Sequence, residues 1–465
     1  MEKSNVKSIG KKLQKTIVLF LKLVVFLMVF ATFYLLFSIP NAQMLRISRT
    51  TAVIAFTYIV VGLAMVSAYG TYDIGKRKSK PIIYSLGLAT VITDVVAYIQ
   101  LAIMNTNIAN NLTFKMENLG LLGIAVVLQV VEITAMTYFG NYVFFKINAP
   151  ERCCVITSSQ ESLDSCIYGI KKFKKQYSIK EILDYRDLEL FQKILKYDTV
   201  FLVDVPSKDR LEIVEFCYRH MRNIYFNPEI ADIVEINSKH IVLDDVSFIA
   251  APVSELSFEQ RVFKRCMDLM VSVIAIVITS PIWVICAAFI KSYDKGPVFF
   301  KQKRATKGGR VFEVYKFRTM RQNVENKSVT SDDDRITPVG KVLRKFRVDE
   351  LPQFLNILKG EMSVVGPRPE MLENVYEYTN ALPEFEYRLR VKAGLTGYAQ
   401  IAGKYNTSPK DKLVLDLMYI ENYSLWKDIK LVLQTLIVFF KSDSTEAFGE
   451  KETEKFIPYQ DSEEE

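Results

Sequence analysis

Residues 344–369 run Arg344-Lys-Phe-Arg-Val-Asp-Glu-Leu-Pro-Gln-Phe-Leu-Asn356 and then, after Ile357 and Leu358, Lys359-Gly-Glu-Met-Ser-Val-Val-Gly-Pro-Arg-Pro369. Two adjacent carboxylates, Asp349 and Glu350, follow three cations, Arg344, Lys345 and Arg347, and Arg368 stands between two prolines a short way on. The grouping suits phosphate chemistry. A carboxylate that attacks phosphorus is repelled by the substrate's own charge unless fixed cations or a metal first neutralise the phosphate oxygens. Arginine does this with a planar fork, and Mg²⁺ on carboxylate ligands does the rest. The same letters also describe the first turn of a helix, with Asp349 capping free N–H groups and Pro352 tolerated early in the turn. The surrounding sequence has to decide between the two.

Over this stretch and the residues before it, from Lys301 to Arg368, sixteen Lys and Arg face eight Asp and Glu. Gln302-Lys-Arg-Ala-Thr-Lys-Gly-Gly-Arg310 reads as a glycine-containing basic turn that includes Arg304, followed by the strand-like Val311 to Tyr315 and by Lys316-Phe-Arg-Thr-Met320. Backbone N–H groups at such a turn can hold phosphate, and a solvated basic face on anionic lipid explains the charge equally well. Asp332-Asp-Asp-Arg335 reads as a surface loop, with metal binding the alternative. Downstream, Lys392-Ala-Gly-Leu-Thr-Gly-Tyr-Ala-Gln400 is turn-rich, and its two glycines permit close backbone approach. Trp426 to Lys441 is amphipathic and too short to span a bilayer comfortably, so it either lies in the interface or packs beneath the domain. Residues 442–465 are acidic and poor in apolar side chains, a composition of disorder.

Further upstream, Cys266 to Ile290 is an apolar stretch with cations at both ends: Arg261, Lys264 and Arg265 before it, Lys291, Lys295, Lys301, Lys303 and Arg304 after it. Both flanks favour the cytoplasm. Ser280-Pro281 lies in its middle, where proline removes a backbone donor and serine can satisfy the freed carbonyl. The expectation is a re-entrant helix-break-helix over 266–290; a proline-kinked full span is the alternative.

The amino-terminal third is different in kind. Hydrophobic residues make up 50% of the 465-residue chain and charged ones 24%, which places it among membrane proteins. Residues 1–15 carry five lysines, and apolar spans follow at Thr16 to Ser38, Thr51 to Tyr69, Ile82 to Met104 and Leu119 to Phe145. Cations cluster before the first span, at Lys76 to Lys80, and at Lys146 and Arg152, so the amino terminus and everything after 150 are expected on the cytoplasmic side. Between 151 and 255 short apolar runs alternate with charged helical stretches. Strands are expected at Cys153 to Ile156, Thr199 to Val205 and Asn223 to Phe226, and helices at Ser162 to Gln176 and Lys208 to Arg222, a small open α/β (Rossmann-like) unit. No Gly-x-Gly-x-x-Gly follows the first strand, which favours a structural or regulatory module over a cofactor site.

The domain plan is therefore 1–150, four transmembrane helices; 151–255, α/β module; 256–441, a mainly α domain holding the phosphate-handling motifs; and 442–465, the acidic tail. The net charge of +8 fits anionic headgroups and anionic substrates. Nucleic acid is a poor partner for a chain whose cations mostly flank apolar spans. The six cysteines show no disulfide framework, and two histidines, His220 and His240, stand far from the central motif, which disfavours a histidine triad or zinc site.

Taken together, Ser280-Pro281, Lys316-Phe-Arg-Thr-Met320, Arg344 to Asn356, Gly366-Pro-Arg-Pro369 and Gly394-Leu-Thr-Gly397 resemble the bacterial sugar transferase family, the monotopic phosphoglycosyl transferases, over about Phe263 to Lys441. The spans and the α/β module resemble its long form, which initiates capsule, exopolysaccharide or O-antigen synthesis at the bacterial cytoplasmic membrane. The resemblance implies a two-step reaction. Asp349 attacks a UDP-sugar, releases UMP and holds the sugar phosphate, which then passes to undecaprenyl phosphate. It also implies that Glu350 ligates Mg²⁺, that Arg344 and Arg368 bind phosphate, that Lys316 and Arg318 belong to the active site, and that Ser280 and Pro281 keep the anchor re-entrant. The chain departs from the family pattern at Arg304-Ala-Thr-Lys-Gly-Gly and at Ala393-Gly-Leu-Thr-Gly, which bears on nucleotide and sugar contacts.

A catalytically silent membrane scaffold for glycan assembly is the competing reading, and the intact Asp349-Glu350 pair with Arg368 argues against it. A transporter fits poorly on the expectation that no ionisable residue sits at the centre of several spans. The sugar is left open, and a homodimer is compatible with the spans and the extra module.

Overall fold

Apolar runs too long for a soluble core become the first four helices of this structure, a computed structural model that describes residues 2–70, 72–108, 116–236, 238–251, 256–321, 334–402 and 408–438. These are α1 (Glu2–Ser38), α2 (Arg49–Tyr69), α3 (Ser79–Ile108) and α4 (Leu119–Ile147). Asp332, Asp333 and the acidic tail lie outside the described residues. The helices pack around Phe33, Phe37, Ile54, Tyr58, Ile82, Tyr98 and Ile133, while Leu19, Phe56 and Val127 remain exposed on the outside, as lipid-facing residues are. One expectation fails here. Asp94 in α3 and Glu132 in α4 both lie well inside spans, and Asp94 is fully buried.

The chain divides into two units between Asn227 and Pro228. The first continues past the spans into β1 (Glu151–Thr157), α5 (Gln160–Lys171), β2 (Tyr177–Asp184), α6 (Leu190–Ile194), β3 (Thr199–Val203), α7 (Ser207–Arg219) and β4 (Asn223–Phe226). The four strands form one parallel sheet in the order β2-β1-β3-β4. Its central strand β1 is buried from Cys153 to Thr157, which explains its continuous apolar run. Strand β2 was not anticipated, because Tyr-Ser-Ile-Lys-Glu-Ile-Leu-Asp carries the mixed polarity of an edge; the helix expected to run to Gln176 ends five residues earlier to make room for it.

The second unit begins with α8 (Ile230–Ile236), whose Ile233 enters its core, and the hairpin β5 (Lys239–Leu243) and β6 (Val246–Ala250). Then comes α9 (Phe258–Asp294), which starts with a full capping box at Ser257 and Gln260. The expected break at Ser280-Pro281 is not an interruption: the helix is continuous through Pro281 for 37 residues, about 55 Å at ideal rise. The carbonyl of Val277, deprived of the donor that Pro281 lacks, accepts the Ser280 hydroxyl at 2.8 Å instead. Met270, Val273, Ile274, Val277, Ile278 and Ile285 are all more than half exposed and form an outward apolar stripe.

Both ends of α9 grip the same domain. Near its start Lys264 and Asp268 are buried against it; toward its end Cys286 and Ile290 pack with Phe317 and Leu343, and the Trp283 ring meets Phe317 edge-on. That domain consists of the antiparallel pair β7 (Phe299–Ala305) and β8 (Val311–Phe317), α10 (Pro338–Lys345), α11 (Gln353–Lys359), β9 (Ser363–Val365), α12 (Leu372–Ala381), β10 (Gly394–Thr396), α13 (Tyr398–Ala402), α14 (Pro409–Ile420) and α15 (Leu425–Val438). Of the two places offered to the Trp426 segment, the structure takes packing beneath the domain: Asp428 and Leu431 of α15 are fully buried.

Candidate active site

The carboxylate pair is positioned by a sharp turn between two helices. Thr337 caps α10 by accepting the Gly340 N–H at 2.9 Å, and Pro338 begins the helix with its φ already set. Gly340 is required: a Cβ there would lie 2.0 Å from the Thr319 carbonyl oxygen, so α10 rests directly on the Lys316–Met320 segment. After Phe346 the chain reverses at Arg347, which adopts φ 52°, an uncommon conformation for a residue with a side chain. Val348–Glu350 form a single 3-10 turn, and α11 follows until Gly360, at φ 80°, ends it. Asp349 therefore caps neither helix.

Lys316, on β8, and Arg368, on the loop after β9, converge on one oxygen of Glu350. The Lys316 ammonium lies 3.2 Å from Oε1 and the Arg368 guanidinium donates to it at 2.8 Å. Burial alone would raise Glu350, but Arg368 and Lys316 outweigh it and hold the carboxyl far below the usual carboxylate range. Asp349 next door is in the opposite position. It is buried, and no hydrogen bond or ion pair ties its carboxylate to another described residue. Burial, aided by repulsion from Glu350, pushes it up to about 6, with Lys316, Arg344 and Arg368 pulling the other way. One carboxylate is thus committed to holding cations, and the other is poised.

The remaining predicted residues surround this pair. Arg344 donates its Nε to the Thr319 hydroxyl at 2.9 Å. Arg304, from β7, reaches the Pro369 carbonyl at 3.2 Å; burial, with Arg368 close by, lowers it to about 10. Arg318 is buried at the end of β8, where its backbone N–H donates to Val298. The structure thus brings Asp349, Glu350, Lys316 and Arg368 together, with Arg344 and Arg304 alongside. Ser280 and Pro281 belong to the exposed apolar length of α9, away from this group.

The loop carrying Arg368 is held by backbone contact. Strands β9 and β10 pair in parallel, and a Cβ on Gly394 would fall 2.0 Å from the Gly366 nitrogen, while one on Gly397 would fall 2.5 Å from the Gly366 oxygen. The two glycine motifs, 28 positions apart, are the two halves of one clasp. Arg388 then donates to the Arg368 carbonyl at 2.9 Å from a buried position opposite Asp416, 2.7 Å away. A shallow cleft opens beside Arg368, lined by Thr306, Pro367, Phe385 and Arg388 among others.

Sequence reading missed the fastenings beneath the site. Lys264 makes a buried ion pair with Asp428 at 2.7 Å and donates to the Val365 carbonyl at 3.0 Å, one residue before Gly366. One turn along α9, Asp268 accepts the Ser363 hydroxyl and the Val364 N–H, both at 2.9 Å. Asn356 ties α11 to β8 by accepting the Tyr315 N–H at 2.9 Å and donating to the Glu313 carbonyl at 2.6 Å. Lys264 looked like one more flanking cation, and its partner is 164 residues away, so no local pattern marked it.

Among the described residues no group of three or more His, Cys, Asp or Glu gathers to enclose a metal. The Asp349–Glu350 pair still fits Mg²⁺, which is commonly held by one or two carboxylates with substrate phosphates filling other positions. The upward displacement of Asp349 marks a place where negative charge is under-compensated.

Residues 259–442 match the family model described as bacterial sugar transferase. The chain is 45% identical over 179 residues to the UDP-N-acetylgalactosamine-undecaprenyl-phosphate N-acetylgalactosaminephosphotransferase of Aeromonas hydrophila, covering 37% of this chain and 42% of that one. It is 35% identical to the UDP-glucose:undecaprenyl-phosphate glucose-1-phosphate transferase of Klebsiella pneumoniae, covering 48% of this chain and 50% of that one. A longer match, 36% identity over 346 residues, joins it to the galactosyl transferase CpsE of Streptococcus agalactiae serotype III and covers 65% of this chain and 75% of that one. The matched stretch thus spans half or less of the first two relatives and three quarters of the third.

Proposed function

The chain belongs to the bacterial sugar transferase family, and from that premise we propose that it transfers a sugar 1-phosphate from a UDP-sugar to undecaprenyl phosphate, the initiating step of capsule, exopolysaccharide or O-antigen synthesis. The observation that carries the reading is the division of labour in the carboxylate pair: Glu350 is occupied by Lys316 and Arg368, while Asp349, buried beside it, is unattached.

In the proposed sequence an Asp349 oxygen bonds to the β-phosphorus of the donor as the bridging P–O bond to UMP breaks, and the electron pair leaves with UMP. An oxygen of undecaprenyl phosphate then bonds to the same phosphorus, the Asp349–phosphorus bond breaks, and the carboxylate is regenerated. Arg368, fixed by Glu350, and Arg344 are positioned to neutralise phosphate oxygens before attack. Mg²⁺, held by Glu350 with Asp349 adjacent, would supply further charge neutralisation at the diphosphate. Because the two substrates occupy the site in turn, one small site serves a soluble nucleotide and a lipid.

The location of this chemistry follows from α9. Although the helix runs on through Pro281, its two ends hold one domain and its flanks are basic at both ends, which supports a re-entrant anchor over 266–290 that turns back by bending at Pro281, with its apolar stripe outward and the site on the cytoplasmic face of the inner membrane. The outward apolar faces of the four spans leave room for membrane lipid and for a second copy of the chain in a homodimer, with the parallel Rossmann-like sheet as an accessory module.

The test incubates the purified chain in nanodiscs with Mg²⁺ and a panel of UDP-sugars, without acceptor, and measures intact mass and UMP. A sugar-phosphate adduct with stoichiometric UMP, absent in Asp349→Asn and discharged by undecaprenyl phosphate, is the expected result and identifies the sugar. Folded protein that forms no adduct with any donor removes the covalent route and returns the scaffold reading.

A further inference from the structure

One residue from each of the four amino-terminal helices meets at a single buried point. Asp94 of α3 and Gln129 of α4 are fully buried, and Tyr58 of α2 is 1% exposed. The Tyr58 hydroxyl donates to Asp94 Oδ1 at 2.9 Å. The Gln129 Nε2 donates to the same Oδ1 at 3.3 Å, to the Tyr58 oxygen at 3.3 Å and to the Val29 carbonyl of α1 at 3.0 Å. Those contacts fix the orientation of the Gln129 amide, since the reverse orientation would set its oxygen against the Val29 carbonyl. Two acceptors are then left without a donor, Asp94 Oδ2 and Gln129 Oε1, both buried.

No side chain can supply the missing positive charge. Residues 23–38, 51–69, 82–104 and 119–145 contain no Lys, Arg or His. Within these ranges the one other carboxylate is Glu132, whose Oε1 accepts the Thr32 hydroxyl at 2.5 Å, and the remaining titratable groups are the tyrosines Tyr34, Tyr58, Tyr69, Tyr84, Tyr98, Tyr138 and Tyr142; outside them Lys22 pairs with Asp73 at 3.8 Å. A bare carboxylate at this depth lacks every usual compensation for burial. A water molecule could donate to both orphan oxygens but would leave the charge. A metal cation would cancel the charge but would find few oxygen ligands, because no group of three His, Cys, Asp or Glu gathers among the described residues. A single proton does both.

We propose that the four-helix bundle contains a proton-binding site at Asp94, with the proton on Oδ2 donated to Gln129 Oε1, closing an acid–amide pair at the junction of all four helices. In this state Oδ1 accepts from Tyr58 and Gln129 while Oδ2–H donates, and every polar atom of the Asp94–Gln129 pair has a partner. The site is independent of the transfer chemistry proposed for the second unit.

The experiment is infrared spectroscopy of the full chain in nanodiscs at neutral pH, comparing the unaltered protein with Asp94→Asn, Tyr58→Phe and Asp94→Ala. The C=O stretch of a protonated carboxyl should be present, be absent in Asp94→Asn, and shift without vanishing in Tyr58→Phe, which removes one donor from the carbonyl oxygen. Asparagine reproduces the acid's pattern of one acceptor and one donor, so Asp94→Asn should melt within a few degrees of the unaltered chain while Asp94→Ala melts well below it. The proposal is overturned if no acid band depends on position 94, if Asn destabilises as much as Ala, or if melting depends on Na⁺ or K⁺ in the unaltered chain and not in Asp94→Asn. Should Asp94→Asn fail to fold, an acid band that Tyr58→Phe leaves unmoved also overturns it.

Discussion

Replacing Asp349 by Asn should make the protein more stable at neutral pH while abolishing transfer. The carboxyl, ordinarily at 3.8, is pushed up to about 6 in the fold, chiefly by burial and then by Glu350. About two pH units of displacement corresponds to about 3 kcal/mol against the ionised form at 1.36 kcal/mol per unit. The sign follows from proton counts: between pH 4 and 6 the native state binds more protons at this position than the unfolded chain, so stability falls as pH rises through that window and the full loss is present above it. Asparagine carries no charge at any pH and escapes the loss. Denaturation in EDTA at pH 7.5 should therefore show Asp349→Asn more stable by about 1–3 kcal/mol, with the advantage vanishing near pH 4. Saturating Mg²⁺ should narrow the difference by stabilising the unaltered protein, because an ion that binds the native state adds its binding free energy to folding. A variant less stable at pH 7.5, or an advantage that does not change with pH, would refute the placement of Asp349 as a buried, under-compensated carboxylate.

Adduct formation in a single turnover should rise with pH and level off above about 6, the value to which Asp349 is raised, since only the carboxylate attacks; pre-steady-state mass spectrometry reads this, and a flat profile from pH 5 to 8 contradicts it. Replacing Lys264 by Met strands the Asp428 carboxylate in the core and should cost about 3–5 kcal/mol, whereas Lys264→Met with Asp428→Leu should cost much less than the two single changes together. A double-mutant cycle on thermal unfolding in nanodiscs measures the coupling, and simple additivity refutes it.

What could be read from the sequence was whatever short range encodes. The apolar spans needed only length and composition, and the Asp349–Glu350 pair needed only adjacency; its cations Lys316 and Arg368 stand 34 and 18 positions from Glu350, and Lys316 came from the family resemblance. The Gly366 and Gly394 motifs were visible as motifs, but their mutual contact was not, because close approach of two backbones leaves no mark except the absence of side chains. Strand β2 was hidden by its mixed polarity. Asp94 and Glu132 carry no local signal, because each is a single letter in a long apolar run, and only the packing of the helices brings Asp94 into a network. The continuity of α9 is also a matter of context. Pro281 reads locally as a breaker, and the Ser280 hydroxyl supplies the Val277 carbonyl with the partner that lets the helix run on.

With both ends of α9 gripping one domain, the proposed anchoring puts its exposed stripe in lipid and the proposed site at a fixed height over a two-dimensional solvent. The two half-reactions of the proposed route then obey different concentration scales. The nucleotide donor arrives through bulk water and counts in moles per litre, but the polyprenyl acceptor arrives by lateral diffusion and counts as a mole fraction of the leaflet. On the proposed route, adding inert phospholipid at constant total acceptor should slow discharge of the adduct and leave its formation untouched, so that the balance between loaded and empty enzyme would be set by how crowded the membrane is with acceptor.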